Sequence, residues 1–394
     1  MAKNKTIIKS VFDTGNNVDV VGILNKVVLQ IMDDLEAAKK PIILSTKESV
    51  DNAIYDPKLG ILIPGDKKSS IQLDVSSIKK MTRMLFIAKL LIRNLKAGAV
   101  NSSREIFYIS KGETKSNPEL KPLDFADQSE CDSIVAELAA LTEAFREDFN
   151  VVSNEKSGLT YSKSLLITET LPSGKKVTLD LGMMGTAPYI PKNKPQDLEI
   201  SIKKGHKIDY ILAIESEGTA NTFVSNGFLE RNDAVIVALG GQAANNVRGF
   251  LHKLQAQLGL PIYLFTDLDA YSVNIARSVK AGSYNSLLRS KSYTAPDARF
   301  LGILPSDIKK YDLNFYTVDD KDPTESRALK RAADLLKNDP FFKDKKNKQY
   351  RSLLEFLLTS RVRCEQQSLF SVYPNDPTGP ERILIDKIKR GDYI

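Results

Sequence analysis

Cysteine and histidine are nearly absent. The 394 residues hold two of each, Cys131, Cys364, His206 and His252. A structural zinc site needs about four such ligands, and a disulfide framework needs several pairs, so both are excluded. A metal would have to be held by carboxylates, which points to Mg²⁺ or a similarly hard cation. No apolar run approaches the roughly 18 residues of a spanning helix, and "MAKNKTIIKSVFDTGNN" lacks the apolar region of a signal peptide, so an intracellular protein is expected. No G-x-x-x-x-G-K-[ST] stretch is present, which leaves the chain without a Walker motif. The pair Gly240–Gly241 could admit a phosphate, or simply make a tight βα turn. There is no internal repeat and no low-complexity segment.

The length allows two or three domains with a sizeable core. With 42% hydrophobic and 27% charged residues, the composition is that of an ordinary soluble globular chain. Lys and Arg number 56 against 49 Asp and Glu, a net charge of +7 with a pI near 9.0. That balance suits a phosphate-rich partner such as nucleic acid, or serves solubility alone.

The first half reads as helices. Val21, Leu24, Val28, Ile31 and Leu35 recur at helical spacing over 18–38, a stripe that packs on its own domain or on a partner. Residues 46–68 are polar and rich in turn formers. Over 76–98, Met81, Leu85, Ala88, Leu91 and Leu95 make a buried stripe that Gly98 closes. Ser102 and Glu105 then form an S-x-x-E capping box, which starts a helix carrying Arg104 and Tyr108. A third helix follows within 129–150, with Ile134, Leu138, Leu141 and Phe145 on one face. Three helices and then the hairpin "LLITETLPSGKKVTLDLG", turning at "PSGK", predict a winged helix-turn-helix.

From residue 208 the rhythm changes. The apolar strands "DYILAIES", "DAVIVALG" and "LPIYLFTD" alternate with helices at 219–229, 245–259 and 270–282, which predicts a parallel sheet covered on both faces. The stretch 324–394 is mostly helical and basic. Glu215 closes the first strand, and Asp267 and Asp269 close the third. Ligand sites in open α/β sheets lie beyond the carboxyl ends of strands. Three carboxylates gathered there would bind Mg²⁺, which relieves their mutual repulsion. Glu217 rivals Glu215 for the first position but lies beyond the apolar run.

Arg104 and Tyr108 stand four residues apart and share a helix face. A surface Arg lying on a Tyr is common. Beside a basic winged helix and an acidic site, the pair has a sharper reading. A phenol can attack a DNA phosphate once its proton is removed, and a guanidinium beside it can orient the phosphate and stabilise developing charge.

Several stretches together resemble the DNA topoisomerase VI A-subunit family, the type IIB topoisomerase A subunits and their relatives the meiotic double-strand-break transesterases. They are "SSREIFYISK", "FADQSECDSIVAELAALTEAFREDFNVV", "LAIESEG", "LGGQAANNVRGFL", "LPIYLFTDLDAYS" and "RILIDKIKRGDYI", in that order, over roughly 45–394. The resemblance implies Tyr108 as nucleophile with Arg104 as its neighbouring arginine, and Mg²⁺ on Glu215, Asp267 and Asp269. It implies DNA contact by Arg248 and by Lys111 at the end of the tyrosine motif. The chain departs from the family at Ser216, Ala243, Ala244, Ala270 and Ser272, where Lys, Pro, Asp, Pro and Gly are usual.

The expected architecture is a multi-domain α/β chain. It has an arm at 1–66, a winged-helix domain at 67–152, a hairpin and linker at 153–205, and a Toprim domain with C-terminal helices at 206–394. The expected activity is cleavage and rejoining of double-stranded DNA through 5′-phosphotyrosyl links. By the resemblance this occurs in a homodimer of A subunits, with each active site built from two chains. An ATPase B subunit would complete an A2B2 assembly in the cytoplasm, at the nucleoid. The alternatives are a break-forming transesterase without a topoisomerase cycle, an idle DNA-binding homologue, and a Toprim nuclease or primase that would not need Tyr108.

Overall fold

The computed structural model describes residues 19–152, 158–171, 173–184, 188–191, 194–319 and 322–394. The expected residues 1–18 of the arm and Pro172 of the "PSGK" turn lie outside them. The chain divides into two units, one from residues 1–48 and 64–155, the other from 49–63 and 156–394.

The first unit is built on helices. α1 (Val20–Glu36) starts at Asp19, whose carboxylate accepts from the Gly22 amide. It buries Val20, Leu24 and Ile31 and leaves Leu35 exposed. β1 (Ile42–Thr46) pairs antiparallel with β2 (Lys68–Gln72). α2 (Ile78–Ala97) buries Met81, Ala88 and Leu91 of the expected stripe, and Gly98 closes it at φ 66°. α3 (Ser103–Ser116) buries Ile106, Phe107 and Ser110. α4 (Gln128–Thr142) buries Ile134 and Leu138 but ends earlier than expected, because Glu143 turns left-handed at φ 52°. These elements share one core with Phe125, Phe149 and Val151.

The second unit holds a five-stranded sheet. Its strands are β3 (Leu159–Tyr161), β7 (Tyr210–Ile214), β8 (Ala234–Ala238), β9 (Ile262–Phe265) and β10 (Arg299–Gly302), in the order β10-β9-β7-β8-β3. The first four are parallel, and β3 closes one edge antiparallel. β8 and β9 are buried along their whole length, as continuous apolar runs require when both faces are covered. The longer helices are α5 (Glu217–Ser225), α6 (Asn245–Leu258), α7 (Ala270–Ala281), α8 (Pro323–Asn338), α9 (Lys348–Ser360) and α10 (Gly379–Arg390). No described helix is long and apolar enough to cross a membrane.

The hairpin expected as the wing lies in this second unit. Its strands β4 (Leu165–Thr170) and β5 (Lys176–Asp180) join β6 (Leu198–Ile202) in a separate antiparallel sheet, Ile200 facing Ile167. Leu165, Ile167, Leu198 and Ile200 sit in the second unit's core. The apolar partners of the hairpin therefore come from downstream sequence. Residues 49–63 depart from expectation in the same way. Ala53–Asp56 and Ile61–Pro64 form a small strand pair, Leu62 is fully buried in the second unit's core, and the Tyr55 ring stands edge-on to Phe341 at 5.5 Å.

Candidate active site

Two clusters, one in each unit, carry the residues with chemistry. In the first unit Ser102 and Glu105 close a reciprocal capping box. The Glu105 amide donates to Ser102 Oγ at 3.2 Å, and the Ser102 amide donates to Glu105 Oε2 at 2.6 Å. This fixes where α3 starts and hence which residues face out. Ser103, Ile106, Phe107 and Ser110 are buried, so Arg104 and Tyr108 face solvent. Tyr108 is 57% exposed, and its ring stands edge-on to Phe107 at 5.3 Å. The Arg104 guanidinium carbon lies 5.9 Å from the Tyr108 ring centroid. Lys111, one turn on, is half-exposed, 3.4 Å from Asp124 and 5.4 Å from the Phe107 ring centroid. Together Arg104, Tyr108, Lys111 and the exposed Lys115 form a cationic strip around one hydroxyl.

In the second unit the sheet register does the positioning. Ile214 of β7 pairs with Phe265 of β9 and with Ala238 of β8. Glu215, Asp267 and the Gly240–Gly241 turn therefore leave the sheet at one edge. The turn is tight, both glycines being left-handed at φ 72° and 84°, and the Gly241 amide donates to the Glu215 carbonyl at 3.0 Å. Glu215 Oε2 accepts from the Ser272 hydroxyl at 2.7 Å and from the Asp267 amide at 3.3 Å. Asp267 Oδ1 accepts from the Gln366 amide at 2.8 Å. Asp269 caps α7, its Oδ1 accepting from the Ser272 amide at 2.7 Å.

Burial comes first among the causes that push the Glu215 carboxyl up to about 7, with Asp267 and Asp269 adding repulsion. Burial likewise pushes Asp267 up to about 6, with Asp269 and Glu365 adding to it. Glu217, the rival of Glu215, lies beside the Gly240 turn and Tyr161. A Cβ on Gly240 would lie 3.0 Å from its Oε1, and its charge acts on Tyr161.

Among the described residues no three His, Cys, Asp or Glu side chains close on a common point as a ready metal cage. Each carboxylate of the triad commits an oxygen to a protein donor instead. The donor set nonetheless fits a hard cation, being three carboxylates held against their own repulsion. Gln366 also fits: its Oε1 is buried without a partner while its side chain bonds Asp267.

Arg248 is not placed with either cluster's exposed groups. It is 3% exposed, its guanidinium donating to Asn245, to Ser286 Oγ at 3.3 Å and to the Ser278 carbonyl at 3.5 Å. It fastens α6 against α7 and is buried, where the resemblance implies contact with DNA. Glu365, Gln366 and the role of Ser272 were missed by sequence reasoning. Leu268 and Cys364 exchange backbone hydrogen bonds, which lays residues 364–366 beside the D-x-D turn across about a hundred residues of chain. Nothing local signals that pairing. Ser272 had a signal, its place three residues after the Asp269 cap.

Residues 210–378 match the family model for the Toprim domain of Spo11 and the topoisomerase 6 A subunit, and residues 79–151 match the model described as "Type IIB DNA topoisomerase". The second unit is thus of the Toprim class, a class that generally binds metal, and the helical unit carries a DNA topoisomerase segment. The chain is similar to the type 2 DNA topoisomerase 6 A subunit of Methanocaldococcus jannaschii, 31% identical over 346 residues, 86% of this chain and 87% of that one. It is also similar to that of Archaeoglobus fulgidus, 29% identical over 362 residues, 91% and 94% of the two chains. A third, from Pyrococcus abyssi, is 29% identical over 349 residues, 86% of each. The chain belongs to the family of Spo11 and the topoisomerase 6 A subunits, the DNA-cleaving subunits of type IIB topoisomerases.

Proposed function

We propose that Tyr108 is the nucleophile with which this protein breaks and rejoins duplex DNA. The observation that carries the reading is Tyr108 standing exposed on α3 beside the Arg104 guanidinium, opposite a buried face. The phenol oxygen forms a bond to phosphorus as the bond from phosphorus to the 3′ oxygen breaks. The phenol proton passes to solvent, and the departing 3′ oxygen takes one up. The product is a 5′-phosphotyrosyl link and a free 3′-hydroxyl. Resealing is the reverse, so the exchange of one ester for another consumes no ATP. Arg104 orients the scissile phosphate and offsets its charge. Lys111 contacts the DNA backbone.

Glu215, Asp267 and Asp269 would hold Mg²⁺, with Gln366 Oε1 beside them to accept from a bound water. The cation would polarise the phosphate and stabilise the leaving oxygen. Strand passage needs energy that a chain without a Walker motif does not supply, so an ATPase B subunit is the implied partner in relaxing or decatenating DNA. A twofold dimer provides the two equivalent sites that cutting both strands requires.

The test is Tyr108→Phe incubated with labelled duplex, Mg²⁺ and the ATPase partner, then denatured. Covalent protein–DNA adducts are expected to vanish while duplex binding stays within about twofold, since a surface change of one oxygen alters little else. Adducts at the wild-type level would overturn the assignment. Mixed dimers of Tyr108→Phe and Glu215→Ala chains test whether sites are shared between protomers. Shared sites leave one intact centre that nicks one strand, and self-contained sites leave none.

A further inference from the structure

Ser272 touches two of the three carboxylates. Its amide donates to Asp269 Oδ1 and its hydroxyl to Glu215 Oε2, each at 2.7 Å. The amide bond is the ordinary cap of α7. The hydroxyl bond serves no cap. Ser272 is fully buried, with Ala270 and Val273 buried beside it, so the side chain is held in place by packing.

We infer that Ser272 is a positioning residue that fixes the spacing of Glu215 and Asp269, and so suits the site to a small divalent cation over a larger one. The inference rests on the metal-site reading above. Each carboxylate has one oxygen committed to protein: Glu215 Oε2, Asp267 Oδ1 and Asp269 Oδ1. The donor on each carboxylate sets the direction in which its other oxygen points, and on Asp267 the Gln366 side chain bonds as well. Three singly bound oxygens with fixed directions suit Mg²⁺, which demands near-octahedral geometry at about 2.0–2.1 Å. Ca²⁺ takes more oxygens at about 2.3–2.6 Å and often engages both oxygens of a carboxylate. Glu215 cannot swing to present both without giving up the Ser272 hydroxyl. Removing that hydroxyl frees the swing, which harms the small cation and spares the large one.

The test uses the full chain without DNA, titrated with MgCl₂ and separately with CaCl₂ by calorimetry. Ser272→Ala and Ser272→Gly both remove the hydroxyl and keep the amide. The Mg²⁺ Kd should rise about tenfold, the range typical for groups that orient metal ligands, with the Ca²⁺ Kd within about threefold of wild type or lower. Ser290→Ala, which removes an equally buried hydroxyl elsewhere in the unit, should move neither. A general loosening of the fold would weaken both cations together, so parallel losses overturn the inference, as does an unchanged Mg²⁺ Kd. Glu215→Gln is titrated alongside. If it binds Mg²⁺ as well as wild type, the metal-site reading itself falls and takes the positioning role with it. If it loses Mg²⁺ while both Ser272 variants retain the wild-type preference, only the positioning role falls.

Discussion

The tyrosine helix and the carboxylate edge prepare for chemistry in opposite ways. Tyr108 sits in water on a well-capped helix, and among the described residues no side chain hydrogen-bonds its hydroxyl. Glu215 and Asp267 are half-buried and set against each other, and protein donors hold an oxygen on each. The tyrosine proposed as nucleophile thus stands on a well-capped helix with its hydroxyl open to solvent. The acidic edge carries a standing electrostatic penalty, which a bound cation would relieve. Only the acidic edge sets electrostatic cost against stability, whereas the tyrosine helix is stable as it stands, and in the proposed reading each would meet a charge of opposite sign.

The contrast can be broken most sharply at the acidic edge. Asp267→Asn should lower cleavage by about 10³-fold or more and abolish its response to Mg²⁺, since a cation held there would supply several kcal/mol to the transition state. Adduct yields across a Mg²⁺ titration check this, and curves that overlay wild type would remove Asp267 from the site. On the tyrosine helix the expected loss is smaller. Arg104→Ala should slow cleavage by about 10²-fold, as for one charge-stabilising donor, with the thermal midpoint unchanged because Arg104 lies on the solvent face. A cleavage rate within about twofold of wild type would leave Arg104 as a bystander.

The smallest effect is thermodynamic and comes without metal. Both carboxyls have raised values in the folded chain, Glu215 about 7 and Asp267 about 6. Below about pH 4 they are protonated in folded and unfolded chains alike, so no penalty exists there. Between about pH 4 and pH 7 the unfolded chain releases protons that the folded chain retains, and stability falls as pH rises. Glu215→Gln should therefore stabilise the metal-free protein by on the order of 2 kcal/mol at pH 8 and hardly at all at pH 4. Denaturant titrations at the two pH values measure it, and an equal effect at both would mean that repulsion is not stored at this edge.

Legibility in the sequence followed distance along the chain. Local signals survived: the Ser102–Glu105 box, the Gly98 closure, the three apolar runs of β7, β8 and β9, and the carboxylates at their ends. What was lost depends on partners far away. The hairpin 165–180 looked like a wing because it follows three helices, yet β6 claims it. β10 went unseen because "ARFLGIL" is short and its register on β9 is irregular. Arg248 was read as a DNA contact from the family resemblance alone, and its hydrogen bonds to Ser278 and Ser286, thirty and more residues on, had no local signal. Glu365 and Gln366 reach the D-x-D turn through a two-bond bridge with no local pattern at all.

The excursion of residues 49–63 out of the first unit matters for anyone who would cut the protein apart. A fragment beginning at residue 156 looks like a complete sheet domain by sequence, but it lacks the side chains that fill two of its own positions, Leu62 in the core and Tyr55 against Phe341. The complementary fragment keeps those residues, with their apolar surface and no site to occupy. Neither piece is an independent module as the gene orders it. A workable dissection has to splice 49–63 onto the later fragment, or supply it as a separate peptide in trans, and the helical unit then has to be rejoined across the gap from Glu48 to Pro64.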